Sequence, residues 1–141
     1  ITLWDPLRFW GATKGDKKMT IGVVGVGGLG TMGIKFAAKL GHDVVAISSS
    51  PHKEQMAREK GATHFCVSTD PDSLKAHAKT CHMILNTVSA GFEITTYLPL
   101  LKNSGRFVQL GIADKPIVFN NLQVNMVLIF MVGIMQVEIK H

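Results

Sequence analysis

Ile21-Gly-Val-Val-Gly-Val-Gly-Gly-Leu-Gly30 carries Gly25, Gly27 and Gly30 in the order G-x-G-x-x-G. An apolar, strand-like stretch leads into it. Helical spacing follows, with Leu29, Met32, Phe36, Ala37 and Leu40 on one face. A glycine triplet between a strand and a helix reads as a dinucleotide-binding turn. Each glycine has a distinct task there. Gly25 turns the chain sharply out of the strand. Gly27 lets the backbone approach a pyrophosphate. Gly30 lets the helix lie close to the sheet. The first N–H groups of the helix then point at the phosphates, with the helix dipole adding positive potential.

Outward from this run, strands and helices alternate. The first strand is Thr20–Val24, apolar throughout, as expected of a strand covered on both faces. Gly41 is the expected stop of the first helix. A second strand reads over 43–47, then a helix from Pro51 to about Lys60, with Gly61 after it. A short strand at 63–67 precedes a helix opened by Asp70-Pro71 that runs to about Lys79. A strand at 83–86 follows, then a helix over 92–101, interrupted or bent near Pro99. Gly105 leads into a strand at 106–110. Ile117 to Phe119 reads as a short edge strand or a loop, and a sixth strand covers 127–132. Six strands with helical crossovers predict an α/β fold with a doubly wound parallel sheet, a Rossmann arrangement in strand order 3-2-1-4-5-6. The domain spans 20–141.

Residues 1–19 form a lead-in of different character. Trp4, Leu7, Phe9 and Trp10 are large apolar groups on a segment broken by Pro6, Gly11 and Gly15. The segment either packs on the sheet or meets a further domain.

Composition narrows the function classes. The 141 residues suffice for one domain with a core, and 46% hydrophobic against 18% charged residues argues against disorder. Net charge is +5, which suits an anionic partner such as a phosphate-bearing cofactor. The basic residues are scattered and form no nucleic-acid-binding pattern, so no nucleic-acid partner is expected. Cys66 and Cys81 make neither a redox nor a zinc spacing, and a reducing, cytoplasmic setting is the default. The start, Ile-Thr-Leu-Trp-Asp, has no secretory signal pattern, and its lack of Met points to a processed or excised chain. The uncharged run at 126–135 is short of the ~20 residues a membrane helix needs, so no membrane partner is expected.

The tip of the second strand selects the nucleotide. Where an NAD site carries an acid about 20 residues beyond the glycines, this chain reads Ile47-Ser-Ser-Ser50, then Pro51-His52-Lys53. Asp43 lies at the other end of that strand. Hydroxyls and a cation suit a ribose 2′-phosphate, which a carboxylate would repel, so NADP(H) is favoured over NAD(H). The same serines could also cap the next helix. Competing chemistries fail on named residues. Thr31-Met32 stands where a P-loop needs Lys-Ser/Thr. Tyr97, the one tyrosine, has Leu101 four residues on, where short-chain dehydrogenases place Lys.

Five segments in order then carry a resemblance: Thr2-Leu-Trp-Asp-Pro-Leu7, Gly22 to Gly30, Ile47 to Ser50 with Lys53, Asn86-Thr-Val-Ser89, and Leu110-Gly-Ile-Ala-Asp-Lys-Pro116. Together they resemble the coenzyme domain of the zinc-dependent medium-chain alcohol dehydrogenases, in the cinnamyl alcohol dehydrogenase-like branch. The resemblance implies a parent enzyme that moves hydride between NADPH and an aldehyde, yielding a primary alcohol, or the reverse. It implies that Gly27, Gly28, Leu29 and Gly30 hold the pyrophosphate. Ser48, Ser49, Ser50 and Lys53 would form the 2′-phosphate pocket. Thr87, Val88 and Ser89 would lie near the adenosine and ribose. Gly111, Ile112, Thr2, Val132 and Gly133 would border the nicotinamide. It further implies a zinc-binding catalytic domain outside this chain, no zinc bound here, and little turnover by these residues alone. The 126–135 run becomes a candidate homodimer edge.

The sequence departs from the family at Met131-Val132-Gly133-Ile134, which replaces a more polar pattern, and at Thr31, which replaces a frequent His. Cys66 reads as a buried strand residue. His64 and His82 read as structural or exposed, and His42 as an exposed turn residue. Two further readings stay open: a stand-alone NADP-binding sensor or scaffold, and the coenzyme domain of a zinc-free quinone-reductase-type relative.

Overall fold

The computed structural model describes residues 18–88, 94–109, 117–120, 128–131 and 137–140. Six strands form one parallel sheet in the order β3-β2-β1-β4-β5-β7. They are β1 (Thr20–Val24), β2 (Asp43–Ser48), β3 (His64–Val67), β4 (Cys81–Asn86), β5 (Leu101–Gln109) and β7 (Leu128–Met131). This is the predicted doubly wound order, with β7 as the sixth strand of the sequence reading. Two further strands, β6 (Ile117–Asn120) and β8 (Val137–Lys140), pair with each other in parallel as a separate sheet. The sequence left β6 open between strand and loop and did not find β8. Their pairing joins segments some twenty residues apart, which local pattern does not reveal.

Strand periodicity builds a core on each face of the sheet. On one face Ile21, Val23, Val44, Ala46, Met83 and Leu85 pack with Ile34 and Ala37 of α1 (Gly28–Lys39) and Ala57 of α2 (Glu54–Glu59). On the other, Val24, Val45, Ile47 and Ile84 pack with Leu98 and Leu100, with Leu74 of α3 (Pro71–Ala76) alongside. Cys66 and Cys81 lie in this second layer as free, fully buried thiols. Burial raises the pKa of both, that of Cys81 to about 11.

Three boundaries shift from the sequence reading. The helix from Pro51 starts as a 3-10 turn, Pro51–Lys53, before α2. The helix opened by Asp70 ends at Ala76 rather than near Lys79. The helix read at 92–101 is described from Ile94 as α4 (Ile94–Tyr97); it gives way near Pro99 to a 3-10 turn, Leu98–Leu100, and β5 starts at Leu101. Proline cannot donate to an α-helical ladder, and Pro99 falls inside that turn. The freed carbonyls instead accept from the approach to β4: Lys79 N–H donates to Pro99 O at 2.9 Å and Thr80 N–H to Leu100 O at 3.0 Å.

His42 corrects an expectation. It is buried, 5% exposed, rather than solvent-facing. Its Nδ1 accepts the Met19 backbone N–H at 3.0 Å, and Nδ1 of His82 accepts that of Thr20 at 3.0 Å. The two imidazoles thus satisfy consecutive donors at the start of β1, beside its first rung with β2, Thr20 opposite Asp43. His64 is exposed, as expected. The lead-in at 1–17 lies outside the described residues. Among the described residues, no helix is long and apolar enough to cross a membrane.

Candidate functional site

The strand order reverses between β1 and β4, which opens a crevice at the carboxyl ends of the strands. Register brings those ends level. Val24 of β1 faces Ile47 of β2 on one side and Asn86 of β4 on the other. A cleft of about 670 Å³ lies there, within the roughly 300–1,000 Å³ usual for small-molecule sites.

The glycine turn forms one wall. Gly25 has φ +95°, a left-handed conformation, and its N–H donates to Ile47 O at 2.9 Å. A Cβ on it would sit 2.7 Å from Thr87 Oγ1 and 3.0 Å from Val88 Cγ2. A Cβ on Gly30 would run into the Gly25 carbonyl. The fold itself therefore demands glycine at both positions. Gly27 and Gly28 differ: a Cβ on either would meet nothing within 4 Å. Among the described residues no neighbouring atom accounts for glycine there, so the space they leave beside this backbone is open to a ligand. Gly27 caps α1 without a side-chain bond, and the first turn of α1 holds no acidic residue. Its leading N–H groups, orphaned by helix geometry, face the cleft without a competing carboxylate. Thr31 turns its hydroxyl back onto Gly27 O at 2.5 Å, so it braces the turn.

The tip of β2 forms the second wall. Ser48 is buried and its Oγ accepts the Ser50 N–H at 3.1 Å, shaping a tight turn. Ser49 is exposed. Ser50 stands at the N-cap of the Pro51–Lys53 turn, yet its hydroxyl makes no capping bond. The capping alternative thus leaves that hydroxyl unused. Lys53 reaches back across the cleft, its Nζ 3.5 Å from Val26 O. It brings a positive charge over the glycine turn, and no carboxylate lines the cleft among the described residues.

The loop after β4 closes the third side. Thr87 is tied to β1 twice, its N–H donating to Val24 O at 3.1 Å and its Oγ1 at 2.7 Å. Val88 follows, also lining the cleft. The structure therefore brings together Gly25, Gly27, Gly28, Leu29, Gly30, Ser48, Ser49, Ser50, Lys53, Thr87 and Val88 around one cavity. Thr2, Ser89, Gly111, Ile112, Val132 and Gly133 lie outside the described residues.

Beyond the predicted set the cleft is also lined by the apolar Val24, Val26 and Ile47, beside the predicted motifs, and by four polar residues away from them: Ser68, Thr69, Thr96 and Tyr97. Ser68 and Thr69 follow β3, where Ser68 N–H donates to Ser48 O at 2.9 Å and so joins the β2 tip. Tyr97 is 7% exposed. Burial pushes its phenol pKa up, opposed by a hydrogen bond with the Ser68 side chain. The position of Ser68 and Thr69 just past a strand end was a usable signal. Nothing local marked Thr96 or Tyr97. Among the described residues no three of His, Cys, Asp or Glu gather where they could hold a metal ion.

The sheet order, the glycine turn and the crevice define a coenzyme-binding α/β domain of the doubly wound class. A profile described as zinc-binding dehydrogenase matches residues 28–139. A probable mannitol dehydrogenase of Medicago sativa is 42% identical over 118 residues, covering 83% of this chain and 32% of that protein. Cinnamyl alcohol dehydrogenase 7 of Oryza sativa subsp. japonica is 42% identical over 118 residues, covering 83% and 31%. Among solved structures, a cinnamyl alcohol dehydrogenase from Sorghum bicolor matches with a TM-score of 0.86 at 36% identity, over 92% of this chain and 37% of that one. The cinnamyl alcohol dehydrogenase of Helicobacter pylori, complexed with NADP(H), matches with a TM-score of 0.76 at 27% identity, over 93% and 37%. This chain belongs to the zinc-binding dehydrogenase family, as its Rossmann-type coenzyme-binding part, and its relatives include cinnamyl alcohol and mannitol dehydrogenases. It spans about a third of the length of the curated relatives it matches, 31% to 34%.

Proposed function

We propose that this chain binds NADP(H) and presents it to a zinc-bearing catalytic domain in an alcohol dehydrogenase or aldehyde reductase. The observation that carries the nucleotide choice is the β2 tip: hydroxyls of Ser48 to Ser50, the Lys53 ammonium, and, among the described residues, no carboxylate lining the cleft. A dianionic 2′-phosphate is attracted there, whereas an NAD site would place an acid on the ribose. The open backbone at Gly27 and Gly28 fits a pyrophosphate, and the leading N–H groups of α1 supply its donors. The NADP(H) complex of the Helicobacter pylori relative supports the reading. When bound, the nicotinamide supplies or accepts the hydride exchanged with the alcohol or aldehyde carbon. This chain's residues bind and orient it. Zinc and most of the substrate pocket fall to the companion domain, as does the choice of substrate. β7 ends the described strand order, so the homodimer expected from the resemblance would form along that edge.

Titrating the chain with NADPH and with NADH, read by reduced-cofactor fluorescence, tests the nucleotide choice. NADPH is expected to bind at least about tenfold more tightly, as a charge-assisted phosphate contact of about 1.5–3 kcal/mol implies. Tighter binding of NADH would overturn it. Lys53→Ala should weaken NADPH more than NADH. Equal losses would remove Lys53 from the 2′-phosphate site.

A further inference from the structure

Asn86 and Gln109 close β4 and β5 as directly paired residues, and neither is exposed to solvent. Two buried amides at the mouth of a cleft must be hydrogen-bonded, and three bonds link them to each other and to Val88. Asn86 Nδ2 donates to Gln109 Oε1 at 2.7 Å. Gln109 Nε2 donates to the Val88 carbonyl at 3.1 Å. The Val88 N–H donates to Asn86 Oδ1 at 3.1 Å. The three bonds form a ring that grips one backbone residue by both its donor and its acceptor. The ring also has a direction. Val88 N–H requires an oxygen from Asn86, and Val88 C=O requires an N–H from Gln109. Turning either amide over would set donor against donor and acceptor against acceptor.

Val88 lines the cleft beside Thr87, which β1 holds through Val24 O. The loop after β4 is therefore latched on two sides, by β1 at Thr87 and by the amide ring at Val88. Gln109 also stands in register with Met131 of β7, so the ring ties the loop to the far half of the sheet.

We propose that Asn86 and Gln109 are positioning residues for the dinucleotide: their amide ring holds the Thr87-Val88 loop in its binding conformation before the cofactor arrives. The proposal rests on the reading that the cleft binds NADP(H). Neither side chain lines the cleft, so both act through the Val88 peptide. Pre-ordering the loop spares the ligand the ordering cost at binding, which appears as affinity.

The test measures NADP+ affinity by calorimetry on the full chain, together with backbone amide exchange, for wild type, Gln109→Leu and Gln109→Glu. Leucine removes both of the bonds that Gln109 makes in the ring. Glutamate keeps the acceptor for Asn86 but, when ionised, places oxygen against the Val88 carbonyl. The expected result at pH 9 is a dissociation constant raised about tenfold or more in each variant, the effect of leaving a buried polar group unpaired. Exchange at Val88 should quicken while Leu85 and Val108 stay protected. Lowering the pH to about 5, with wild type measured at each pH, should return Gln109→Glu toward wild-type affinity, because burial against the Val88 carbonyl raises the carboxyl's pKa and a protonated carboxyl donates again, and should not rescue Gln109→Leu. If Gln109→Leu does not fold, Gln109→Glu carries the test through its pH dependence. Unchanged affinity in folded variants would overturn the proposal alone. So would exchange that quickens equally at Val88 and Leu85, since that marks general destabilisation. A wild-type chain that does not bind NADP+ would overturn the functional reading and this proposal with it.

Discussion

Glycines that share one motif carry different burdens, and single substitutions should separate them. Gly25→Ala forces a left-handed residue against Thr87 Oγ1 and should cost about 1–3 kcal/mol of stability in a denaturant melt. Gly30→Ala meets a backbone carbonyl, which cannot rotate aside, and should cost more. Gly27→Ala enters open space from an extended conformation, φ −112° and ψ −156°. It should cost less than about 1 kcal/mol, yet NADP+ titration should show weakened binding because the new methyl group occupies the phosphate approach. The motif was legible in the sequence, but this division was not. The collision at Gly25 depends on Thr87 and Val88, more than sixty residues away, whereas that at Gly30 is with the Gly25 carbonyl of the same turn. At the same scale, Cys66 and Cys81 should react with a thiol reagent near pH 8 only on unfolding, since both are buried and the pKa of Cys81 is about 11.

Elements were legible where local chemistry dictated them. Asp70-Pro71 reads as a helix start, and Asp70 Oδ1 accepts the Asp72 N–H at 3.0 Å. Asp70→Ala should lower stability by about 1 kcal/mol, measured by thermal melting. The start of β1 was less legible, because its capping groups come from elsewhere in the chain. His82, near the start of β4, accepts the Thr20 N–H. Its pKa lies below the ordinary 6.5 through burial first, then the charges of Lys102 and His42. A depressed pKa means that the folded state resists protonation while the unfolded chain accepts the proton. This contribution is complete above pH 6.5 and is lost as pH falls through the lower folded value. Melting temperature should therefore drop as pH is lowered from 7 to 5. His82→Asn, whose side-chain oxygen can accept the same bond without titrating there, should flatten the slope. An unchanged slope would show that His82 does not set it. The end of the helix read at 92–101, set at Leu101 when β5 already starts there, has the same origin. Pro99 was visible, but its carbonyl being taken by the Lys79 N–H was not.

For the molecule as a whole, cofactor binding should appear as stability, since a ligand that binds only the folded state shifts the unfolding equilibrium. At 100 times its dissociation constant NADP+ should add about 2.7 kcal/mol, raising the melting temperature by several degrees, with NAD+ doing less at the same concentration. The doubly wound sheet was determined by sequence alone, because apolar strands and helical crossovers leave few ways to cover both faces. So was the glycine turn, whose physics is local, and so was the hydroxyl-rich β2 tip. Tertiary structure alone decided the rest. It brought Ser68, Thr69, Thr96 and Tyr97 to the cleft, paired β6 with β8, buried His42, and closed the ring of Asn86, Gln109 and Val88. Such features depend on register between strands distant in sequence, and hydrogen bonds set at that distance leave no trace in local periodicity.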